Sequence, residues 1–523
     1  MVKYMNNNSG FQQWNAARDN KAKKSRLGGI LWWIILFLAS WWLISWWMAP
    51  QQADAPTDAA NVAELDLSAV PVSEIVSDNI TADVQGLRIS NIELLKYASD
   101  AADNESAPVV LLGGDKSFAE VGVLSNGTSA PTAQTVWKQN GDIYTWRNED
   151  GVEFSRTVTI DNYVISIADT IKNASADKIS VVPYARIVRA NNMESSAGVY
   201  TGSVAYANAD LEHEDWARIS NNSYAYSTPD GFIGFVDQYW ETVLSVQSPD
   251  QTMRVKPLGD MYQADTAAAA VEIAAGADAT ITTNLYMGPR DYRILSAADA
   301  YISGLDETVD YGWFWFFVRP MLWLLHVLNS FVMNYGLAII LMTLLLRLAM
   351  WPLTRKSYVS MMAMQKMQPE MARIQKLYAN DKARMQMEIM RLYQTNKTSP
   401  MSGCLPLLIQ IPIFFALYKA LLISVQMRSA HFLWISDLAA MDPYFILPIL
   451  MGATMWLQQH LQTASTIGAQ TNDAVAQTQK MMKWMPLLFT VMFAWMPAGL
   501  VLYWTVSNIF GIGQMYYIKK LKK

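Results

Sequence analysis

The sequence carries a single cysteine, Cys404, among 523 residues, and only four histidines. One thiol forms no intramolecular disulfide, so any part outside the cytoplasm must fold without one. His213, in Glu212-His-Glu-Asp-Trp216, has no second histidine near it. That pattern is half a metal site or a solvated charged loop, and the loop is the simpler reading. No nucleophile motif, glycine-rich phosphate loop or Cys/His metal spacing occurs. Neither an enzyme nor a cofactor or metal is expected. The long apolar runs of the C-terminal half also lack Asp and Glu. A proton-coupled transporter usually needs an acid at membrane depth, so this absence counts against that class.

What is present is uneven. The net charge of −5 hides an acidic block: residues 50–312 hold 15 Lys/Arg against 38 Asp/Glu, net −23, and the rest holds 25 against 7, net +18. Twenty Trp and thirty Met accompany that split. Together they suggest a soluble domain attached to a membrane body. Residues 1–26 read as a polar cytoplasmic extension ending in Lys21, Lys23, Lys24 and Arg26. Residues 27–48 are apolar with three Trp pairs and read as a transmembrane anchor or a cleaved signal. The absence of a clean small-x-small cleavage site favours the anchor. Residues 50–85 read as a flexible tether. Residues 86–310 carry alternating, β-branched runs such as Val158–Ile167. They are punctuated by Asn-Gly at 126–127 and 140–141 and Asp-Gly at 150–151 and 230–231. These are hairpin signals and predict a large antiparallel β-sandwich.

Residues 311–326, aromatic and interrupted at Arg319-Pro320, predict an amphipathic helix in the membrane interface, against a simple core helix. The apolar segment 329–352 then holds one cation, Arg347. A guanidinium keeps its charge, and at membrane depth that costs a few kcal/mol, roughly. Arg347 either snorkels to the aqueous face or serves a function. Residues 353–400 are basic, with apolar stripes over Met364, Met367 and Met371 and over Met385, Ile389 and Leu392. They predict a cytoplasmic helical hairpin with Asp381 as an N-cap. The stripes pack the two arms together; a functional reading adds a Met-rich surface and a basic face. Further spans are predicted at 403–425, 444–461, 481–496 and 500–517, with a cytoplasmic loop at 462–480 and a basic tail at 518–523. Six spans put every basic cluster on the cytoplasmic side, both termini inside and the acidic domain outside. Thr343, Gln410, Gln458, Ser507, Asn508 and Gln514 add polar groups within the spans. They suit ordinary interhelical bonding or a hydrated cavity.

Several motifs then converge. Ser402-Gly-Cys-Leu-Pro-Leu-Leu-Ile-Gln-Ile-Pro-Ile-Phe-Phe-Ala-Leu-Tyr418 resembles the third span of the YidC/Oxa/Alb insertases. Asp442-Pro-Tyr-Phe-Ile-Leu-Pro-Ile-Leu-Met-Gly452, Pro497-Ala-Gly-Leu-Val-Leu-Tyr503 and Val506-Ser-Asn508 resemble their later spans, and Arg347 followed by Pro352-Leu-Thr their arginine-bearing span. The resemblance is strong over about 280–523, and the upstream order is that of Gram-negative members with a large periplasmic domain.

The resemblance implies a fold and a mechanism. The fold is a polytopic α-helical membrane protein of the bacterial inner membrane, a five-span insertase core plus an anchor, with an inserted all-β supersandwich similar to sugar-binding folds. A hydrophilic groove holds Arg347 and attracts the acidic or polar end of a substrate, whose apolar segment slides into the bilayer. Thr343, Gln410, Trp495, Trp504, Ser507 and Asn508 would line it; Trp504 stands where the best-known members have tyrosine. The hairpin, through Met364, Lys366, Met367, Met371, Arg373 and Arg384, would meet substrate or ribosome. Implied partners are nascent membrane proteins, the Sec translocon, the ribosome, the signal-recognition-particle receptor and the lipid bilayer, with no small-molecule substrate. The competing readings are a small-solute transporter or channel and a membrane-tethered glycan-binding protein.

Overall fold

The structure, a computed structural model, describes residues 65–103, 105–114, 116–190, 198–396, 405–463 and 484–521. The expected N-terminal extension, the anchor, the first part of the tether (50–64), Cys404 and residues 464–480 of the expected loop lie outside these residues; 462 and 463 belong to the helix Ile446–Thr463.

Two antiparallel sheets form the acidic block. The ten-stranded sheet runs in the order Val72–Val76, Ile80–Gln85, Arg88–Ala98, Phe118–Asn126, Ile179–Ala190, Met261–Ala268, Gln251–Leu258, Tyr224–Thr228, with Pro108–Leu111 and Val271–Ile273 paired off this path. The nine-stranded sheet runs Asp210–Asp215, Gly202–Ala207, Gly231–Val236, Trp240–Val246, Asp278–Pro289, Val164–Asn173, Val152–Asp161, Ile143–Arg147, Lys138–Asn140. Alternation sets the inward faces. Ile80, Ala82 and Val84 are buried while Thr81, Asp83 and Gln85 are half-buried. Phe232, Phe235 and Tyr286 are among the largest fully buried side chains. A polar bolt joins the two sheets: Arg156 pairs with Asp169 of its own sheet at 2.8 Å and donates to Val121 O of the other at 2.7 Å.

Three expectations are corrected. The sandwich begins at Val72, so residues 72–85 are strands and no tether; their Ala, Asp and Ser content masked a short alternation. The run Val158–Ile167 spans two strands, with Asn162 at φ 53 making the turn. His213 lies in the edge strand Asp210–Asp215, edge-on to Tyr200 at 4.6 Å, and no loop surrounds it. Of the four turn signals, 140–141 and 150–151 close hairpins. Asn126-Gly127 and Asp230-Gly231 instead lie where the chain passes from one sheet to the other. Turn chemistry reverses or redirects the chain, and long-range packing chooses the sheet it joins.

The helices follow: α1 (Trp315–Val332), α2 (Tyr335–Ala349), α3 (Trp351–Leu377), α4 (Lys382–Thr395), α5 (Leu405–Ile423), α6 (Ile446–Thr463), α7 (Trp484–Phe493) and α8 (Ala498–Leu521). α1 runs unbroken through Arg319-Pro320 and past residue 326. The proline removes one bond near the helix start, where carbonyls of Gly312 and Phe314 already hold the neighbouring amides. Among the described residues α1 alone is long and apolar enough to cross a membrane, and α2 joins the first half of α3 at a 63° bend. Pro352, in the first turn of α3, has no amide to continue α2, which breaks the helix there. Asp381 caps α4, accepting from the Arg384 amide at 3.0 Å. Asp442 caps α6 through the amides of Tyr444 and Leu447.

The exposed helical surface is apolar. On α2, Leu337, Leu341, Leu345 and Leu348 point outward while Ala338, Ile339, Met342 and Thr343 are buried. Ile411 and Phe415 on α5, Ile449 and Trp456 on α6, and Leu487, Leu488 and Val491 on α7 are exposed as well. Soluble monomers rarely leave contiguous apolar surface of this extent uncovered.

Candidate functional site

Arg347 lies on the last turn of α2, half-buried. Its Nε donates to Ser507 Oγ of α8 at 2.7 Å. The ionisable groups facing it are Tyr503 and Tyr358, and among the described residues no carboxylate pairs with it. One turn earlier on α8, the Tyr503 hydroxyl accepts from Gln410 Nε2 of α5 at 2.6 Å. Positions 503 and 507 share one helix face, so α2, α5 and α8 contribute to one polar row. Gln514 extends it, donating to Arg347 O at 3.4 Å, while its own Oε1 is buried without a partner among the described residues. Tyr358 of α3 reaches Gly511 O at 3.5 Å. A cation held by neutral hydroxyls keeps its field uncancelled, unlike one in an ion pair.

The other expected residues are distributed differently. Asn508 points to α6, donating to Thr454 Oγ1 at 3.2 Å, which is a helix–helix tie. Thr343 is fully buried and bonds back to Ile339 O at 2.7 Å within its own helix. Trp504 packs in an aromatic cluster with Phe414, Phe489 and Phe493, at centroid distances of 5.4, 6.1 and 5.1 Å. Trp495, just past α7, is 68% exposed. On the hairpin, Lys366, Arg373 and Arg384 are exposed, Met364 and Met371 half-buried and Met367 buried. Met371 Sδ accepts from the Tyr393 hydroxyl of α4 at 3.7 Å, so the methionine stripe joins the two arms.

Sequence reasoning missed Tyr503, which supplies a hydroxyl next to the tryptophan at 504. Its signal was the four-residue spacing to Ser507. It also missed the joint between sandwich and helices. Lys419 of α5 pairs there with Asp310 at 2.6 Å and donates to Gly198 O at 2.8 Å. Arg428 donates to the carbonyls of Ala98 and Ser99, both at 2.6 Å. Beside that joint, the buried Arg290 donates to the carbonyls of Thr308, Tyr200 and Asp237. Glu241, fully buried, accepts from the Thr308 hydroxyl at 2.8 Å. Its burial pushes its carboxyl up to about 7 against the pull of Arg290. Among the described residues no group of three or more His, Cys, Asp or Glu could hold a metal ion.

Comparison with known proteins is consistent across the chain. A family profile described as "YidC periplasmic domain" matches residues 74–324, and one described as "60Kd inner membrane protein" matches residues 327–523. The membrane protein insertase YidC of Rickettsia bellii is 34% identical over 90% of this chain and 92% of its own. That of Magnetococcus marinus is 33% identical over 90% of this chain and 86% of its own. A solved structure described as an active YidC insertase with the first transmembrane domain resolved aligns with 86% of this chain and 96% of its own, at 19% identity and a TM-score of 0.37. The chain belongs to the YidC family of inner-membrane protein insertases, with a mostly β-sandwich periplasmic domain joined to the helical body that carries Arg347.

Proposed function

We propose that this chain inserts nascent membrane proteins, and that the polar row around Arg347 receives the part of the substrate that must cross. The observation that carries this reading is the Arg347–Ser507 bond: the cation is oriented by a neutral hydroxyl and has no carboxylate partner among the described residues. Gln410, Tyr503 and Gln514 give a polar tail successive hydrogen-bonding groups. The apolar faces of α2, α5, α6 and α7 give the following hydrophobic segment a surface continuous with lipid. A positive charge lowers the cost of bringing a carboxylate there by ~1–4 kcal/mol at intermediate dielectric. Burial of the substrate's apolar segment, helped by the membrane potential, drives the step. No bond is made or broken.

In this reading the protein spans the inner membrane six times. Both termini and the basic hairpin α3–α4 face the cytoplasm and the sandwich faces the periplasm, as the distribution of Lys and Arg favours. The exposed cations Lys366, Arg373 and Arg384 suit ribosomal RNA or lipid headgroups. The Sec translocon, the ribosome and the signal-recognition-particle receptor are the partners the family suggests.

Photo-crosslinking from position 410 during translation tests the reading. Adducts with nascent membrane proteins are expected, strongest when the translocated tail is still short. Adducts with lipid alone, through the whole course of insertion, would reject it.

A further inference from the structure

At the joint between sandwich and helices a second cation is held in an unusual way. The Arg319 guanidinium lies 5.0 Å from the ring centres of both Tyr292 and Tyr311. The two rings are 6.5 Å apart and inclined by 63°, so they form a corner around it. Tyr292 opens the short helix Tyr292–Ala298 at the end of the sandwich, and Tyr311 lies in the segment leading to α1. The corner is therefore built from both sides of the joint. Aromatic faces attract a guanidinium through its charge and its flat face, and leave most of its in-plane N–H edge for a bidentate acceptor.

Nearby acids do not fill that role. Asp291 is taken by Arg293 at 3.1 Å and Asp310 by Lys419 at 2.6 Å. Asp306 accepts from Ser296 at 3.4 Å. Arg319 itself is exposed. Around it stand uncovered aromatic rings, Trp313 at 84%, Trp315 at 56% and Phe316 at 52% exposure. Phe314 stacks on Phe415 of α5 at 6.0 Å and 7°, which fixes this aromatic belt to the helical body. Tryptophan side chains favour the headgroup level of a bilayer. A guanidinium fixed at that level meets phosphate oxygens.

We propose that Arg319, in the corner of Tyr292 and Tyr311, binds the phosphate of an anionic phospholipid in the leaflet facing the sandwich. The inference rests on the membrane-embedded reading of the helices given above. Charge complementarity selects the lipid. A guanidinium takes two phosphate oxygens at once, and a headgroup with no ammonium of its own offers that phosphate without an internal competitor. The site also offsets repulsion between an anionic surface and the acidic sandwich above it.

Native mass spectrometry of the full chain, released from vesicles of phosphatidylethanolamine and phosphatidylglycerol, tests the site. The wild type is expected to retain phosphatidylglycerol about tenfold more strongly than Arg319→Gln, the effect of one charge-assisted pair. Arg319→Lys, which keeps the charge and loses the fork, should fall between them. Equal retention by wild type and Arg319→Gln overturns the proposal. Retention of phosphatidylethanolamine equal to that of phosphatidylglycerol overturns it too, as does displacement of the lipid by millimolar inorganic phosphate. Insertion of a polar-tailed substrate, measured in the same vesicles, separates the two readings. Wild type that inserts nothing in any lipid counts against the proposed function, whereas the lipid counts decide the site alone.

Discussion

Glu241→Gln offers a stability test with a definite sign. The Glu241 carboxyl is fully buried, bonds the Thr308 hydroxyl at 2.8 Å, and leaves its second oxygen without a partner among the described residues. Burial lifts it from 4.5 to about 7, opposed by the charge of Arg290 and by the Thr308 bond. The folded chain therefore holds this proton more tightly than the unfolded chain. Its contribution is fully present below about pH 4.5, declines as pH rises, and is lost above about pH 7. The change across that window is about 3 kcal/mol. Glutamine keeps an acceptor for Thr308 and has no proton to lose. The variant should match the wild type near pH 4 and exceed it by up to about 3 kcal/mol at pH 8. Neighbouring groups also titrate. Asp237 is raised by burial against Arg189 and adds the same sign, while His213 is lowered by burial and by Arg290 and adds the opposite one. The difference between variant and wild type removes these shared terms. Denaturant unfolding of the purified full chain from pH 4 to 8, followed by tryptophan fluorescence, is the assay. Parallel curves for the two proteins would refute the reasoning.

Three further outcomes follow from packing and bonding. A Cβ on Gly452 would collide with Thr490 Oγ1, where α6 meets α7, so Gly452→Ala should cost about 1–3 kcal/mol. Adding Thr490→Ala should recover most of it, read as melting temperature in detergent. Arg290→Met removes the donor to three buried carbonyls and should destabilise by about 3–5 kcal/mol, with unfolding of the sandwich as the readout. Tyr503→Phe removes the acceptor of Gln410 Nε2 and should cost about 1 kcal/mol of stability. Its effect on insertion assays should be far smaller than that of changes at Arg347.

Much of the architecture was legible because periodicity is a local signal. The strand alternation, the Asp381 cap and the methionine stripes each depend on residues within a few positions of one another. Partner choice is not local. Asn126-Gly127 and Asn140-Gly141 carry the same dipeptide, yet only the second closes a hairpin, as Asp150-Gly151 also does. In the site, Arg347 stood out as a charge in an apolar run. That Ser507 holds it, that Asn508 instead ties α8 to α6, and that Tyr503 takes Gln410 all depend on the relative rotation of helices far apart in the chain. Arg319 was visible only as a break beside Pro320. Its tyrosine corner required two further segments to meet.

The central claim is that the charge of Arg347 acts on charge in the substrate. The direct measurement is insertion of one single-span substrate bearing translocated tails with increasing numbers of aspartates, by wild type, Arg347→Lys and Arg347→Ala. The account predicts that the alanine form loses ground as each aspartate is added while the lysine form stays close to wild type. A deficit that is the same for neutral and acidic tails, or no deficit with any tail, would contradict it.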